Sequence, residues 1–494
     1  MVNLSLSCIF VKTLTVLFGI GSWIAINGLW VELPLLVQDL PEKWNLASYL
    51  AVIIQIANIG PISYSIARTL CGRKSLEIST VHFMMTIGVV ACLLLGFFWS
   101  KTLYFGGANH SIMLLVLVFF LSLVDCTSSV VFLPFMAHFK EQYLTPFLIG
   151  EGMSGFLPSL VALGQGVGGN PECRNVSFNN TNFENMTYKM VPYRTPPNFP
   201  PEDFFFFLMG MMIVSWAAFT LLNVLPVAKN EMDSYSAEKN NVIASQSVNV
   251  SILTSQEEDT PENVNNRVGC EDISCHLSDY EACAPVCGTS TYLMSQTEAS
   301  HPKTELTQTT VADYRSQKHL SYLKRREIII FLLILQGWAC ILSNGVFPAI
   351  QPFSCLPYGD KSYHLVVTLS SMANPVACFI AMFCKIQCLK GVSLLSVMGT
   401  VVSCYVMATA VLSPEPPLMN SVSGELLVVM SWILLVGIFS YTKVSIANLM
   451  REVGHRALFW CGAVTQAGSA VGALVMFLFV NVGNYFHSFD ACGQ

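Results

Sequence analysis

Seven side-chain amides lie deep inside apolar runs of this chain: Asn27, Gln55, Asn58, Gln336, Asn344, Gln351 and Asn374. An amide offers two N–H donors and a carbonyl acceptor, and burying it in an apolar phase without partners is costly. Such groups turn away from hydrocarbon, toward a bundle interior or a water-filled cavity. Four of them stand beside residues that weaken a helix. Gly28 follows Asn27, Gly60 and Pro61 follow Asn58, Gly345 and Pro348 follow Asn344, and Pro375 follows Asn374. A weakened helix frees backbone groups that can meet a ligand. Any one of these amides could equally serve as interhelical glue. The set together favours the lining of a cavity for a small polar solute.

Charged residues inside the same runs are few: Glu32, Asp125, Glu151 and Lys443. An intramembrane carboxylate is paired, protonated or open to a water-filled cavity. Asp125 and Lys443 fall at equivalent places in a repeat described below, so they are expected to pair. Snorkelling of Lys443 to the interface is the bland alternative. Glu32 and Glu151 are the candidates for taking up protons. No nucleophile, base or metal constellation shares one face, so an enzyme is disfavoured and neither metal nor cofactor is expected. Cys270, Cys275, Cys283 and Cys287 are not spaced as a zinc ribbon; they are read as reduced thiols or palmitoylation targets.

The elements that position these residues are membrane spans. The chain is 53% hydrophobic and only 11% charged, against roughly 25% charged for a soluble protein. Apolar runs long enough to cross a bilayer lie near 13–36, 46–67, 79–100, 111–136, 143–166, 204–228, 327–349, 363–384, 391–412, 425–447 and 457–481. The fold class is an all-α integral membrane protein of about eleven helices. The first run is read as an uncleaved span, because Asn27 and Glu32 follow Trp23 without a convincing small-residue cleavage site.

Lys and Arg collect on the cytoplasmic side of membrane proteins. With the N-terminus inside, that side holds Lys12, Arg68, Arg73, Lys74, Lys140, the 229–326 segment, Lys385, Lys390, Lys443, Arg451 and Arg456. The glycosylation sequons at Asn109, Asn175, Asn179 and Asn185 then fall outside, and the C-terminus is extracellular. Of the cysteines, Cys173, Cys355 and Cys492 face an oxidising compartment, which allows at most one internal disulfide. Residues 229–326 are expected to be a largely disordered cytoplasmic linker. It divides a six-helix bundle (1–228) from a five-helix bundle (327–494). No basic patch argues for nucleic acid.

The two bundles share a pattern. Trp23 precedes Asn27-Gly28 in the first span, and Trp338 precedes Asn344-Gly345 in the seventh. Asn58 and Asn374 recur in the second and eighth, 31 residues beyond Asn27 and 30 beyond Asn344. Equivalent spans run the same way, so the 6+5 arrangement is a parallel pseudo-repeat of the major-facilitator kind.

Longer stretches carry a family resemblance. Gly21-Ser-Trp-Ile-Ala-Ile-Asn-Gly-Leu-Trp-Val-Glu-Leu-Pro-Leu-Leu36, Gln55-Ile-Ala-Asn-Ile-Gly-Pro61, Leu123-Val-Asp-Cys-Thr-Ser-Ser129, Phe132-Leu-Pro-Phe-Met136 and Gly150-Glu-Gly152 resemble the vertebrate riboflavin transporters. So do Tyr363-His-Leu, Ala373-Asn-Pro375 and Leu458-Phe-Trp-Cys-Gly462. The third member of that family is the nearest in pattern. The resemblance implies a fold similar to the equilibrative nucleoside transporters and sodium-independent riboflavin uptake at the plasma membrane, favoured by acid in some members. Riboflavin would be substrate, not cofactor. The alternatives are a carrier of another polar heterocycle such as a nucleoside, or a receptor without transport. The flavin's uracil-like edge matches the Asn and Gln amides, and Trp30 or Phe132, among other aromatics, would stack on its rings.

Overall fold

The computed structural model describes residues 2–232 and 326–492, apart from 72–73, 137, 168, 171, 179–186, 385, 387 and 489–491. Most of the 229–326 segment therefore lies outside the described residues, as do Asn179, Asn185 and the four cysteines from Cys270 to Cys287. Among the described residues ten helices are long and apolar enough to cross a membrane, and there are eleven spans when the bent pair Ser7–Ile20 and Ile24–Asp39 is counted as one. Each falls on one of the eleven apolar runs. Counting the bent pair as span 1, span 2 is Lys43–Leu70, span 3 Glu77–Phe98, span 4 Ile112–Met136, span 5 Leu144–Gln165 and span 6 Pro201–Val224. Span 7 is Arg326–Tyr358, span 8 Asp360–Ala381, span 9 Leu389–Val411, span 10 Val422–Arg451 and span 11 Arg456–Val482.

Four short strands decorate one end of the bundle. Strands β1 (Leu103–Phe105) and β2 (Ala108–His110) form one antiparallel hairpin between spans 3 and 4. Strands β3 (Glu172–Phe178) and β4 (Thr187–Tyr193) form another between spans 5 and 6. Strands of three and seven residues carry too little periodicity to be read from sequence. Asn109 is exposed on β2, and Asn175 lies on β3. A disulfide joins Cys173 of this second hairpin to Cys492, 319 residues away. Cys355, the third thiol expected at that end, is buried and free.

Span 1 lies on span 5, and span 7 on span 11. Both crossings rely on glycine. A side chain at Gly150 would strike the Val16 carbonyl, and one at Gly19 the Phe147 carbonyl. At the other crossing a Cβ on Gly468 would lie 2.7 Å from the Gly337 carbonyl. Small residues that admit such backbone approach are how helices associate where lipid removes the hydrophobic drive. Gly150→Ala therefore forces two backbones apart and is expected to lower stability by about 1–3 kcal/mol. A thermal unfolding midpoint in detergent equal to that of the wild type would contradict this reading.

Contacts between spans 1–6 and spans 7–11 gather at the hairpin end. Hydrogen bonds and an ion pair join the two groups there. Arg194 Nε meets Asp360 Oδ2 at 2.7 Å, the Lys361 backbone N–H donates to Asn170, and Asn481 Nδ2 donates to Ser48 Oγ at 2.7 Å. The ring pairs Trp44–Phe353 and Tyr49–Phe477 lie at the same end. Deeper in, spans 5 and 8 still approach each other, with Gly152 facing Pro375 and Gly155 facing Ser371.

Candidate functional site

Three of the asparagines singled out in the sequence stand at or within a turn of a helix irregularity, and the fourth precedes a proline inside a continuous helix. Span 1 bends by 51° between its two helices. Around that break, Gly21 and Ser22 donate three residues back, to Phe18 and Gly19, instead of four. The second helix restarts at Ile24, and Asn27 sits on its first turn. Span 2 is interrupted at Ala57 and Asn58, between helices Leu46–Ile56 and Ile59–Cys71. Span 7 widens into a π-turn over Ile341–Val346, with Asn344 inside it. Asn374 precedes Pro375 within the helix Asp360–Phe383.

A broken helix leaves carbonyls at one end and N–H groups at the other without intrahelical partners. Span 4 supplies both in span 1. Asp125 Oδ2 accepts from the Ile26 backbone N–H at 2.9 Å, and Ser128 Oγ donates to the Ser22 carbonyl at 2.9 Å. Asp125 and Ser128 are three residues apart, hence on one face of span 4. Ser215 of span 6 donates to the Phe18 carbonyl at 2.9 Å. Asp125 thus acts as an N-cap supplied by a neighbouring helix, its Oδ2 taking one of the N–H groups at the start of the restarted helix.

The expected Asp125–Lys443 ion pair is not formed. Lys443 Nζ instead donates to Asn344 Oδ1 at 3.0 Å and to Ser343 Oγ at 3.1 Å. The two charges serve different breaks, and each already has partners in its own group of spans.

The amides divide by how fully they are engaged. Asn27 Nδ2 donates to Ser154 Oγ of span 5 at 3.3 Å, while its Oδ1 has no partner among the described residues. Asn58 Nδ2 donates to Gln55 Oε1 at 3.2 Å, and Asn58 Oδ1 is buried without a partner. Asn344 is satisfied at both ends, because its Nδ2 also donates to Ser469 Oγ of span 11 at 3.1 Å. Gln336 is buried and its Nε2 donates to Thr465 Oγ1 at 2.8 Å, an interhelical bond, while its Oε1 is buried without a partner. Asn374 is exposed in the middle of span 8, and Gln351 is buried.

The aromatic expectations also divide. Trp30 is half-buried against the core. Phe132 is fully buried, 4.5 Å from the Phe18 ring, in a cluster with Phe135, Phe147 and Phe219. It fills the interior of spans 1–6 and presents no free face to a solute, which corrects its assignment as a stacking partner. Glu32 is 1% exposed; Oε1 accepts from Gln165 Nε2 at 2.9 Å and Oε2 has no partner. Glu151 is half-buried on span 5, one turn before Ser154.

Sequence reasoning missed Ser154 and Ser469. They are 315 residues apart and hold Asn27 and Asn344 respectively, and that spacing, close to the 317 residues between the two asparagines, is the faint signal they leave in the sequence. It also missed Gln165, the partner of Glu32.

A bundle of about eleven apolar spans, broken at polar residues in its interior, is an architecture that suits a membrane transporter. Residues 7–488 match the family model "Solute carrier family 52, riboflavin transporter", and the chain belongs to that family. It is 41% identical over 486 residues to the zebrafish (Danio rerio) riboflavin transporter member 3-B, covering 98% of each chain. It is 37% identical over 506 residues to the human member 3, covering 97% of each. Among solved structures, a D-xylose-proton symporter superposes with a TM-score of 0.51 at 11% identity, covering 96% of this chain and 89% of that one. That likeness is one of fold. Membership in a transporter family makes this chain a multi-pass membrane carrier and not an enzyme.

Proposed function

We propose that the chain carries riboflavin across the plasma membrane by alternating access, independently of sodium. The observation that carries the reading is the pair of amide carbonyls left open at two helix breaks, Asn27 Oδ1 and Asn58 Oδ1, in a chain of this family. The flavin's imide N–H needs an acceptor, and its flanking carbonyls need donors. Asn374, Gln55 and the half-buried Trp30 complete the proposed lining. Saturable uptake of labelled riboflavin, unchanged when sodium is replaced by choline, tests the proposal. Uptake that never saturates would point to a channel, and binding without uptake to a receptor.

Five residue pairs support the parallel six-plus-five repeat. Asn27 and Asn344, Ser154 and Ser469, Asp125 and Lys443, Gly19 and Gly337, and Gly150 and Gly468 all lie 315 to 318 residues apart. The asparagine, serine and glycine pairs play matching parts at the crossings of spans 1 with 5 and 7 with 11, and Asp125 and Lys443 each reach the break of their own group. The 229–326 segment would then be the linker between the bundles, and the N-terminus cytoplasmic. That orientation makes the hairpin end extracellular, with Asn109, Asn175 and the Cys173–Cys492 disulfide outside. A carrier tied together at that end is facing inward.

Glu32 is the proposed point of proton coupling, because it lies in the hairpin-end half of span 1 with one oxygen unpartnered. Its protonation would bias outward-facing against inward-facing states. Glu32→Gln is expected to flatten the dependence of uptake on external pH while riboflavin still binds. Should the Gln variant keep the full pH profile, Glu32 is structural and Glu151 becomes the coupling candidate.

A further inference from the structure

The breaks in spans 1 and 7 are each held from the fourth span of their own group, one by an acidic and the other by a basic residue. Asp125 and Lys443 lie 318 residues apart. Asp125 is fully buried and grips a backbone N–H of span 1, at Ile26. Lys443 is half-buried and grips side chains of the π-turn, Ser343 and Asn344. The positions they hold are also repeat-related, since Ile26 and Ser343 are 317 residues apart. Asn27 and Asn344 then each reach across to a serine, Ser154 or Ser469.

The two grips differ in one respect. A carboxylate on a helix N-terminus fixes backbone, and the Asn27 carbonyl beside it stays open. The ammonium of Lys443 takes the Asn344 carbonyl itself, as does the Ser343 hydroxyl at 2.9 Å. With Oδ1 so occupied, the amide has one orientation left, which points Nδ2 at Ser469 on span 11. The chain Lys443–Asn344–Ser469 therefore links spans 10, 7 and 11 through a single π-turn. A π-turn is a local, reversible irregularity frequent at functional sites. Bonds to it from two other helices are suited to fixing how span 7 moves as a unit with its neighbours.

We propose that Lys443 is a positioning residue of the transport cycle. It orients the Asn344 amide and so couples the π-turn of span 7 to spans 10 and 11, and it does not contact the solute. The role rests on the carrier reading above, and the test separates the two. Full-length wild type, Lys443→Met, Lys443→Arg, Asn344→Leu and the Met/Leu double variant are reconstituted in proteoliposomes. Equilibrium riboflavin binding and riboflavin–riboflavin exchange are measured on each.

Lys443→Met is expected to slow exchange by about tenfold or more, with the binding constant within about threefold of wild type. Lys443→Arg keeps donors for Asn344 Oδ1 and is expected to recover most of the exchange rate. Because Lys443 acts through Asn344, the double variant should be no slower than the slower single one. The proposal is overturned by unchanged exchange in Lys443→Met, by a loss that appears in binding, or by multiplying effects in the double variant. If Lys443→Met does not fold, Lys443→Arg and Asn344→Leu still decide. Arg at wild-type rate with slowed Leu exchange at normal binding supports the role, and Leu exchange at the wild-type rate removes it. Absence of exchange in wild type would instead defeat the carrier reading.

Discussion

Replacing Asp125 by alanine is expected to abolish transport and to lower stability. The carboxylate closes the start of the restarted helix by accepting from Ile26 at 2.9 Å, and it is fully buried. Its loss leaves that N–H without a partner inside the bundle, at a cost of about 1–3 kcal/mol. Asp125→Asn keeps a carbonyl oxygen at the same place, so it should retain most of the stability. Unfolding midpoints of the purified proteins, beside cell-surface labelling and uptake, distinguish the two variants. Equal midpoints for wild type and Asp125→Ala would show that the cap contributes nothing.

The second large effect is at Asn27. Leucine there removes both the bond to Ser154 and the open carbonyl proposed to meet the flavin imide. A solute N–H left unpaired in a desolvated site loses about 1–3 kcal/mol, so apparent affinity should fall by about tenfold or more. Surface expression should be unaffected, because Asn27 is half-buried and has a single side-chain bond. Ser154→Ala is the control. It takes away the orienting partner but leaves the Asn27 carbonyl, and its loss of affinity should be smaller. An Asn27→Leu transporter with normal affinity would move the site elsewhere.

Much of this was legible in the sequence because a bilayer imposes simple rules. All eleven apolar runs became spans, since backbone in hydrocarbon must satisfy itself within a helix. The helix breaks were legible too. Gly and Pro beside Asn27, Asn58, Asn344 and Asn374 weaken a helix wherever they occur, and each position is irregular or carries an internal proline. The partners were harder. Asp125 and Lys443 looked like an ion pair because opposite charges at equivalent repeat positions invite pairing. They instead lie in two different groups of spans, where each finds its own broken helix. Phe132 misled for a related reason. Composition shows that an aromatic ring is present, and only packing shows that Phe18 already covers it. The serines were invisible because hydroxyls in membrane helices commonly bond their own backbone, as Ser154 does toward Glu151 in addition to accepting from Asn27.

The central claim is that this chain is a riboflavin carrier whose site lies at the broken spans, and counterflow tests it most directly. Purified protein is reconstituted into vesicles loaded with unlabelled riboflavin and diluted into a trace of labelled riboflavin. The account predicts transient accumulation of label above equilibrium for wild type, strongly reduced for Asn27→Leu at equal protein content. Label that never exceeds equilibrium in the wild type, or accumulation undiminished by Asn27→Leu, would contradict it.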